Sequence, residues 1–515
     1  MRRAAASKHR DLASREPIDK TIQAYHMIGR LSIDREGILD RVSSDASRLQ
    51  ELGYRQQLRR GLGVFSTFSI GVATVAPVVG LYAIFGLGMN LSGPVWVWLL
   101  VLSLVGQVLV AVVYSELASE FPIAGGPYQW VRRLIGPDAG IFTGLIYLVA
   151  VSAALATVAF LAAPWFAQLL GLQPSPGGHM LLSFCVLLAS LLVNAGGVQV
   201  VRVAVNFGIA AEIIASMLIG SMLLVFFRTH DATVLFSSMG APTSLGAALA
   251  TLAVCGWAFV GFDASASVAE ETTGAGANVP RAILAATVVV GIAVVLVAVA
   301  VILATGDLQA VISGSEMDPV TATVVASLGD WSRMPFLAVV AITFFACCIS
   351  MQAYLGRVIF SLARDGVLPF SRKLASVSEG RKVPLVAMTT MTLIASACLL
   401  LGFNEGAVGT MISFGTAGLY ITFLLVVAAA LYARLSGKWR PEGSLRLGAL
   451  GTPVNVAALV WLLFETINIA WPRVELAPPN APVWQVWAAI WVFAVVAALA
   501  VIYIGAWRRK NLGAE

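Results

Sequence analysis

Few residues in this chain have the types and spacing to do chemistry, and two carboxylates are set apart by where they fall. Glu212 lies in the apolar run NFGIAAEIIASMLIG, ten residues past Arg202. On a helix that is about 15 Å further along, close to the middle of a bilayer core. Asp263 lies in TLAVCGWAFVGFDASASVAEETTGAGANVPRA, which begins at Thr251 as an apolar span and leaves it at Glu270 and Glu271. A carboxylate at hydrocarbon depth costs several kcal/mol, so it faces a cavity or a partner. Such a group can take a proton from one side and release it to the other, which makes Glu212 a candidate for coupling. The competing reading is a neutral Glu hydrogen-bonded between helices. Asp263 could bind a cationic substrate end or titrate; otherwise it caps a broken helix and takes no part in coupling. Glu465 reads as structural. Glu116 and Glu120 could form an inner gate with Arg132, Arg133, Arg357, Arg364 and Asp365, although a solvated polar face is the simpler expectation. The segment GPYQW reads as a turn with an aromatic interface anchor.

Other chemistries lack their residues. The five cysteines (Cys185, Cys255, Cys347, Cys348 and Cys398) all fall in apolar spans, against a disulfide framework. His9, His26, His179 and His230 fall in the tail or in loops, and no cluster has metal-ligand spacing. Neither a cofactor nor a metal is called for, and no nucleophile–base constellation marks an enzyme.

These groups must be positioned by membrane helices. The chain of 515 residues is 59% hydrophobic and 12% charged, against about 25% charged for a soluble domain. The expected architecture is all-α and integral to a membrane. About twelve spans are predicted, at 63–88, 94–118, 139–170, 180–200, 204–228, 247–269, 282–304, 334–358, 384–402, 408–432, 448–471 and 484–507. Residues 1–60 read as a hydrophilic cytoplasmic tail. It ends in a short amphipathic helix with Ser44 or Asp45 as cap, Leu49, Leu52 and Leu58 on one face, and Gly53 as a stop. With the N-terminus inside, 30 of the 33 Lys and Arg fall on the inner side, leaving Arg228, Arg333 and Arg473 outside. That asymmetry predicts cytoplasmic termini in a plasma (inner) membrane and explains the net charge of +6 without nucleic acid.

Spans 1 and 6 carry matching interruptions. Pro77 removes a backbone donor in span 1 and Gly80 follows three residues on, while Gly256 and Gly261 weaken span 6. Two broken helices five spans apart point to an inverted-repeat transporter with its site between them. Free N–H groups where span 1 resumes after Gly80 would hold a carboxylate. Open carbonyls near Val260 and Gly261 would take an ammonium group, and Trp257 and Phe259 would add cation–π attraction. The domain reading is a tail at 1–60, a first repeat at 61–228, a second at 229–432, and spans 11 and 12 with a short C-terminus at 433–515. For sodium, Ser350, Thr343 and the Ala76 carbonyl offer oxygens, but the run ACCISMQ is poor in hydroxyls, which favours protons or exchange.

Several stretches occur together and in order: ELGYRQQLRRGL, APVVGLYAIFG, YSELASEFPIAGGPYQWVRRL, GFDASASVAEET followed by VPRAI, and GRVIFSLARDGVLP. In these the chain resembles the amino acid–polyamine–organocation superfamily, and within it the amino acid/choline branch that includes fungal choline and γ-aminobutyrate permeases. The resemblance implies a 5+5 inverted-repeat (leucine-transporter-like) core, two extra C-terminal helices and alternating access. It places the unwound part of span 1 at Ala76, Pro77, Val78, Val79 and Gly80, where Val78 and Val79 depart from the Gly-Ser-Gly run of many amino acid permeases. Trp257 and Phe259 match aromatic positions that cover substrate, and Gly261 matches the bend. The expectation is a proton-coupled or exchanging carrier, symporter or antiporter, of amino acids or related small amines. A choline, polyamine or γ-aminobutyrate carrier, a channel and a non-transporting nutrient sensor are the alternatives.

Overall fold

The computed structural model describes residues 45–400, 407–473 and 482–512. The first 44 residues of the expected tail lie outside it. The short helix before the bundle runs over 45–51 and is stopped by Gly53 at φ +85°. Leu58 lies beyond it, in irregular chain, so it does not share the face of Leu49 and Leu52.

Among the described residues the remaining chain is a bundle of helices with one isolated backbone bridge. Span 1 is split into α1 (Val64–Val75) and α2 (Pro77–Ser92), followed by α3 (Trp96–Glu120). A short helix, α4 (Gly126–Leu134), precedes α5 (Pro137–Leu169), α6 (Pro176–Ala195) and α7 (Val198–Phe226). Span 6 is α8 (Leu245–Cys255), an irregular stretch and a single turn, α9 (Ala264–Ser267). Then come α10 (Ala275–Ala304), the connecting helices α11 (Leu308–Ile312) and α12 (Pro319–Leu328), and α13 (Arg333–Arg364). The chain closes with α14 (Leu385–Leu399), α15 (Ala407–Leu435), α16 (Gly451–Ala470) and α17 (Ala488–Leu512). Ten described segments are long and apolar enough to cross a membrane. One of them, Val64–Glu120, folds back between α2 and α3, and α14 is a shorter apolar helix. The expected spans are thus all present as helices, the eighth extended to Arg364.

GPYQW is not a surface turn. It opens α4, where Tyr128 and Trp130 are buried. Trp130 is drawn in because its Nε1 donates to the Phe121 carbonyl at 3.0 Å and its ring meets Tyr114 edge-on. His179, expected in a loop, sits in the first turn of α6 with its ring against Phe160.

The chain entering α1 is tied to the chain leaving α9. The N–H groups of Gly61 and Leu62 both donate to the Glu271 carbonyl at 2.9 Å, and the N–H of Thr273 donates to the Leu62 carbonyl at 2.9 Å. Gln56 and Arg60 reach the carbonyls of Glu270 and Thr272. Further along, the two interruptions lie against each other. A Cβ on Gly80 would come within 3.1 Å of Ala258 Cα. One on Gly261, whose φ is +106°, would come within 3.3 Å of the Thr74 backbone. Side chains are excluded there by backbone on both sides.

Gly261→Ala should therefore lower the thermal unfolding temperature of the detergent-purified protein, with a cost of about 1–2 kcal/mol from the left-handed backbone plus the contact with Thr74. Gly86→Ala, in open space on α2, should leave it unchanged or raised.

Candidate functional site

The break in span 1 is a single residue. Ala76 sits at φ 45°, ψ 95°, a region sparsely used by residues with a Cβ, and α2 restarts at once with Pro77 in its first turn. Pro77 needs no hydrogen bond there, so the helix resumes immediately, and the Gly80 N–H is already bonded to the Ala76 carbonyl at 2.9 Å. The expected unwinding over Ala76–Gly80 is corrected to Ala76 alone, and the resumption after Gly80 to a resumption at Pro77.

Span 6 is disrupted for longer. α8 tightens through a 3-10 turn over Gly256–Phe259, Val260 is extended, and Gly261 turns the chain before α9. The Gly261 carbonyl accepts from Ala264 N at 3.1 Å and is not open.

Between the breaks lies a cavity of about 20 Å³, room for one or two waters. Val75 and Val79 line it from α1 and α2, Trp257, Val260 and Gly261 from span 6. Ala154 and Val158 come from α5, Cys347, Met351 and Tyr354 from α13, and Leu419 from α15, with Thr74 completing the wall. Of the sequence-derived candidates, Val79, Trp257, Val260 and Gly261 reach the cavity. Ala76, Pro77, Val78 and Gly80 surround the break without lining it, and Phe259 is buried in the packing. The wall residues of α5 and α13 were not anticipated. Cys347, Met351 and Tyr354 do share one helical face, but α13 is apolar almost all round, so no stripe marks the inward side.

The two mid-span carboxylates meet different groups. Glu212 is buried on α7, and its Oε1 accepts the N–H of Val78 at 2.6 Å. A π-helical segment, Ile213–Ile219, begins immediately after it; such segments cluster at functional sites. Asp263 accepts the hydroxyl of Tyr147, another unanticipated residue. It makes no side-chain cap to α9 and does not line the cavity. The capping reading is thereby replaced: tertiary packing of α5 offers a hydroxyl in place of the helix's own amide. The three oxygens considered for sodium do not converge. Ser350 Oγ donates to the Ile70 carbonyl at 2.8 Å and lies 2.6 Å from Thr74 Oγ1. Thr343 bonds Val340 on its own helix, and the Ala76 carbonyl accepts Gly80.

Different layers lie beyond the two ends of the cavity. Toward α2, Tyr82 packs on Trp165 at 5.6 Å and on Phe336 at 6.3 Å, and Trp165 stacks on Phe344. At the opposite, arginine-rich end the charged residues are not solvated as expected. Arg357 and Glu271 pair at 2.9 Å with both side chains 2% exposed. Arg364 holds Glu270 through two bonds, and Glu270 also accepts Ala124 N. Asp365 receives Tyr128, Gln129 and Arg132. Glu116 pairs with Arg434, and Glu120 accepts the N–H groups of Glu442 and Gly443. Arg133 stays exposed, 5.9 Å over the Phe121 ring. The solvated-face expectation fails because each carboxylate has a cation or backbone amides opposite it, which makes burial affordable.

A family model described as "Amino acid permease" matches residues 62–506, nearly the whole bundle. The chain belongs to this permease family. The Arabidopsis thaliana amino-acid permease BAT1 is 26% identical, the match covering 84% of this chain and 89% of BAT1. The Bacillus subtilis branched-chain amino acid permease BcaP is 24% identical over 81% of this chain and 89% of its own. An amino-acid permease of Schizosaccharomyces pombe is 24% identical over 90% and 86%. This permease is therefore a multi-pass amino acid transporter, not an enzyme.

Its buried ion pair gives a separable prediction. Arg357→Ala should destabilise the permease by about 3–5 kcal/mol by stranding Glu271, whereas Arg357→Met with Glu271→Leu should be nearly neutral. Thermal unfolding of the single and double variants in detergent checks this, and equal losses would contradict it.

Proposed function

We propose that the cavity between the two breaks is the substrate site of an alternating-access carrier, and that it takes a zwitterionic amino acid. The observation that carries this is the meeting of the α2 N-terminus and the Val260–Gly261 break at one cavity, halfway along α5 and α13. Amides of the first turn of α2 face the substrate carboxylate with a partial positive charge. The ammonium group lies toward the extended backbone at Val260. The rest of the wall is mostly apolar, with Thr74 and Tyr354 as its hydroxyl groups, and no charged side chain lines the cavity, so the substrate side chain is uncharged. The name of the Bacillus relative, a branched-chain permease, is in keeping with that. A cavity with room for only a water or two must widen to load. Its opening breaks either the Tyr82–Trp165 contacts on one side or the Arg357–Glu271 layer on the other.

On this reading the halves 61–228 and 229–432 are the inverted repeats, and 433–515 adds the last two helices. The arginine-rich end faces the cytoplasm and the carrier resides in the plasma membrane, since 17 of the 20 Lys and Arg beyond the tail belong to that side. Coupling is to protons through Glu212, with Asp263 the second candidate, or the carrier exchanges substrates. A choline or polyamine carrier is the second reading, supported by the Trp257 and Tyr354 rings in the wall. It is disfavoured because the wall offers a cation no carboxylate.

Counterflow in proteoliposomes tests the proposal: internal neutral amino acid should accelerate uptake of labelled amino acid. Binding without flux would make the protein a sensor, and flux without trans-stimulation a channel. Trp257→Ala should cut uptake at least tenfold while expression and thermal stability persist. Glu212→Gln should abolish accumulation driven by a proton gradient and spare exchange; persistent accumulation would remove Glu212 from coupling.

A further inference from the structure

The contact between Glu212 and the start of α2 sets a rule for which substrates can be coupled, given the reading of this cavity as the substrate site. The first turn of α2 has few donors to offer. Pro77 has no N–H, and that of Gly80 is held by the Ala76 carbonyl. Val78 and Val79 remain, and Glu212 already occupies Val78 at 2.6 Å. Its other polar neighbour is the Ser216 hydroxyl on its own helix. Among the described residues no Lys or Arg pairs with it.

Two carboxylates cannot share this place as anions. A helix N-terminus carries about half a positive charge, and in a water-poor interior like charges a few ångströms apart are strongly destabilised. The groups around Glu212 do not relieve this. Tyr82 from α2 and Cys347 from α13 are the titratable side chains close enough to feel its charge. From its other neighbours, α1 presents no titratable side chain, α10 carries only Arg281 in its second turn, and His179 of α6 is engaged with the Phe160 carbonyl.

We propose that Glu212 is a resident stand-in for the substrate carboxylate, and that an incoming carboxylate takes the α2 amides only as Glu212 takes up a proton. The proton comes from solvent and forms the O–H bond on Glu212; no other bond changes. The neutral acid then withdraws from Val78, with Ser216 beside it and the π-helical segment Ile213–Ile219 giving its helix slack to shift register. Coupled substrates must therefore carry a carboxylate. Choline and polyamines, which lack one, can displace nothing and draw in no proton.

The test is calorimetric titration of the purified full-length protein with L-leucine, L-alanine and γ-aminobutyrate, each in two buffers of different ionisation enthalpy, from about pH 5 to 8.5. At pH values where free Glu212 has lost its proton, the tightest binder should take up one proton per site, and at lower pH none. Its affinity should be greatest at low pH and fall about tenfold per pH unit once free Glu212 has lost its proton. The amino alcohol of the same carbon skeleton, whose amine stays protonated over this range, and choline, should take up none. Glu212→Gln, isosteric and still able to accept from Val78, should bind with no proton uptake and a flat pH profile. Should that variant not fold, the wild-type comparison of amino acid with amino alcohol decides alone. Wild-type binding with neither proton uptake nor pH dependence anywhere in this range, or equal uptake with the amino alcohol, overturns the exchange of carboxylates but leaves the substrate site standing. Failure of all three amino acids to bind overturns both.

Discussion

A bilayer gives no partner to a loose backbone group, and this constraint organises the molecule. Two helices are interrupted at hydrocarbon depth, and each interruption is tolerated because protein surrounds it. The α1/α2 break is held to one residue, its amides answered by Glu212 and by the Ala76 carbonyl. The longer break in span 6 rests on Thr74 at Gly261 and on Tyr147 at Asp263. Gly80 and Gly261 let the two approach backbone to backbone, so the polar centre is compact and dry enough for small charges to act strongly.

Beyond the two ends of that centre lie layers of different kinds. One is an aromatic stack, Tyr82, Trp165, Phe336 and Phe344, held by shape and dispersion. The other is a layer of ion pairs with almost no exposure. Aromatic rings can slide with little penalty, whereas separating Arg357 from Glu271 demands that water reach both charges at once. The ends thus differ in the kind of work needed to open them.

The helices were legible because hydrophobic runs of membrane length are an unambiguous signal, and the breaks because Pro77 and Gly261 stand out in such runs. The extent of the first break was not legible. Pro77 begins a new helix and does not extend a loop, and the carboxylate that meets its first turn, Glu212, lies far away in sequence. Charges at helix ends are usually solvated, so the sequence favours a solvated face over an inner gate; only the fold places Glu270 and Glu271 against α13. The cavity wall was the least legible part. Tyr354, Met351 and Val158 belong to helices apolar over most of their surface, where periodicity says little about which face looks inward. Asp263 was found by its cost in lipid, but its partner Tyr147 lies more than a hundred positions earlier.

The backbone ties between residues 56–62 and 270–273 bear on how the chain is made. Gln56 and the Glu270 carbonyl it bonds are 214 positions apart. At a ribosomal pace of about 5–20 residues per second, roughly 10–40 s separate their synthesis. Throughout that interval residues 56–62 lack the distant backbone partners they have in the finished fold. The long separation also makes the closure slow on topological grounds. The bundle is thus closed at its beginning only after about half of it has been laid down.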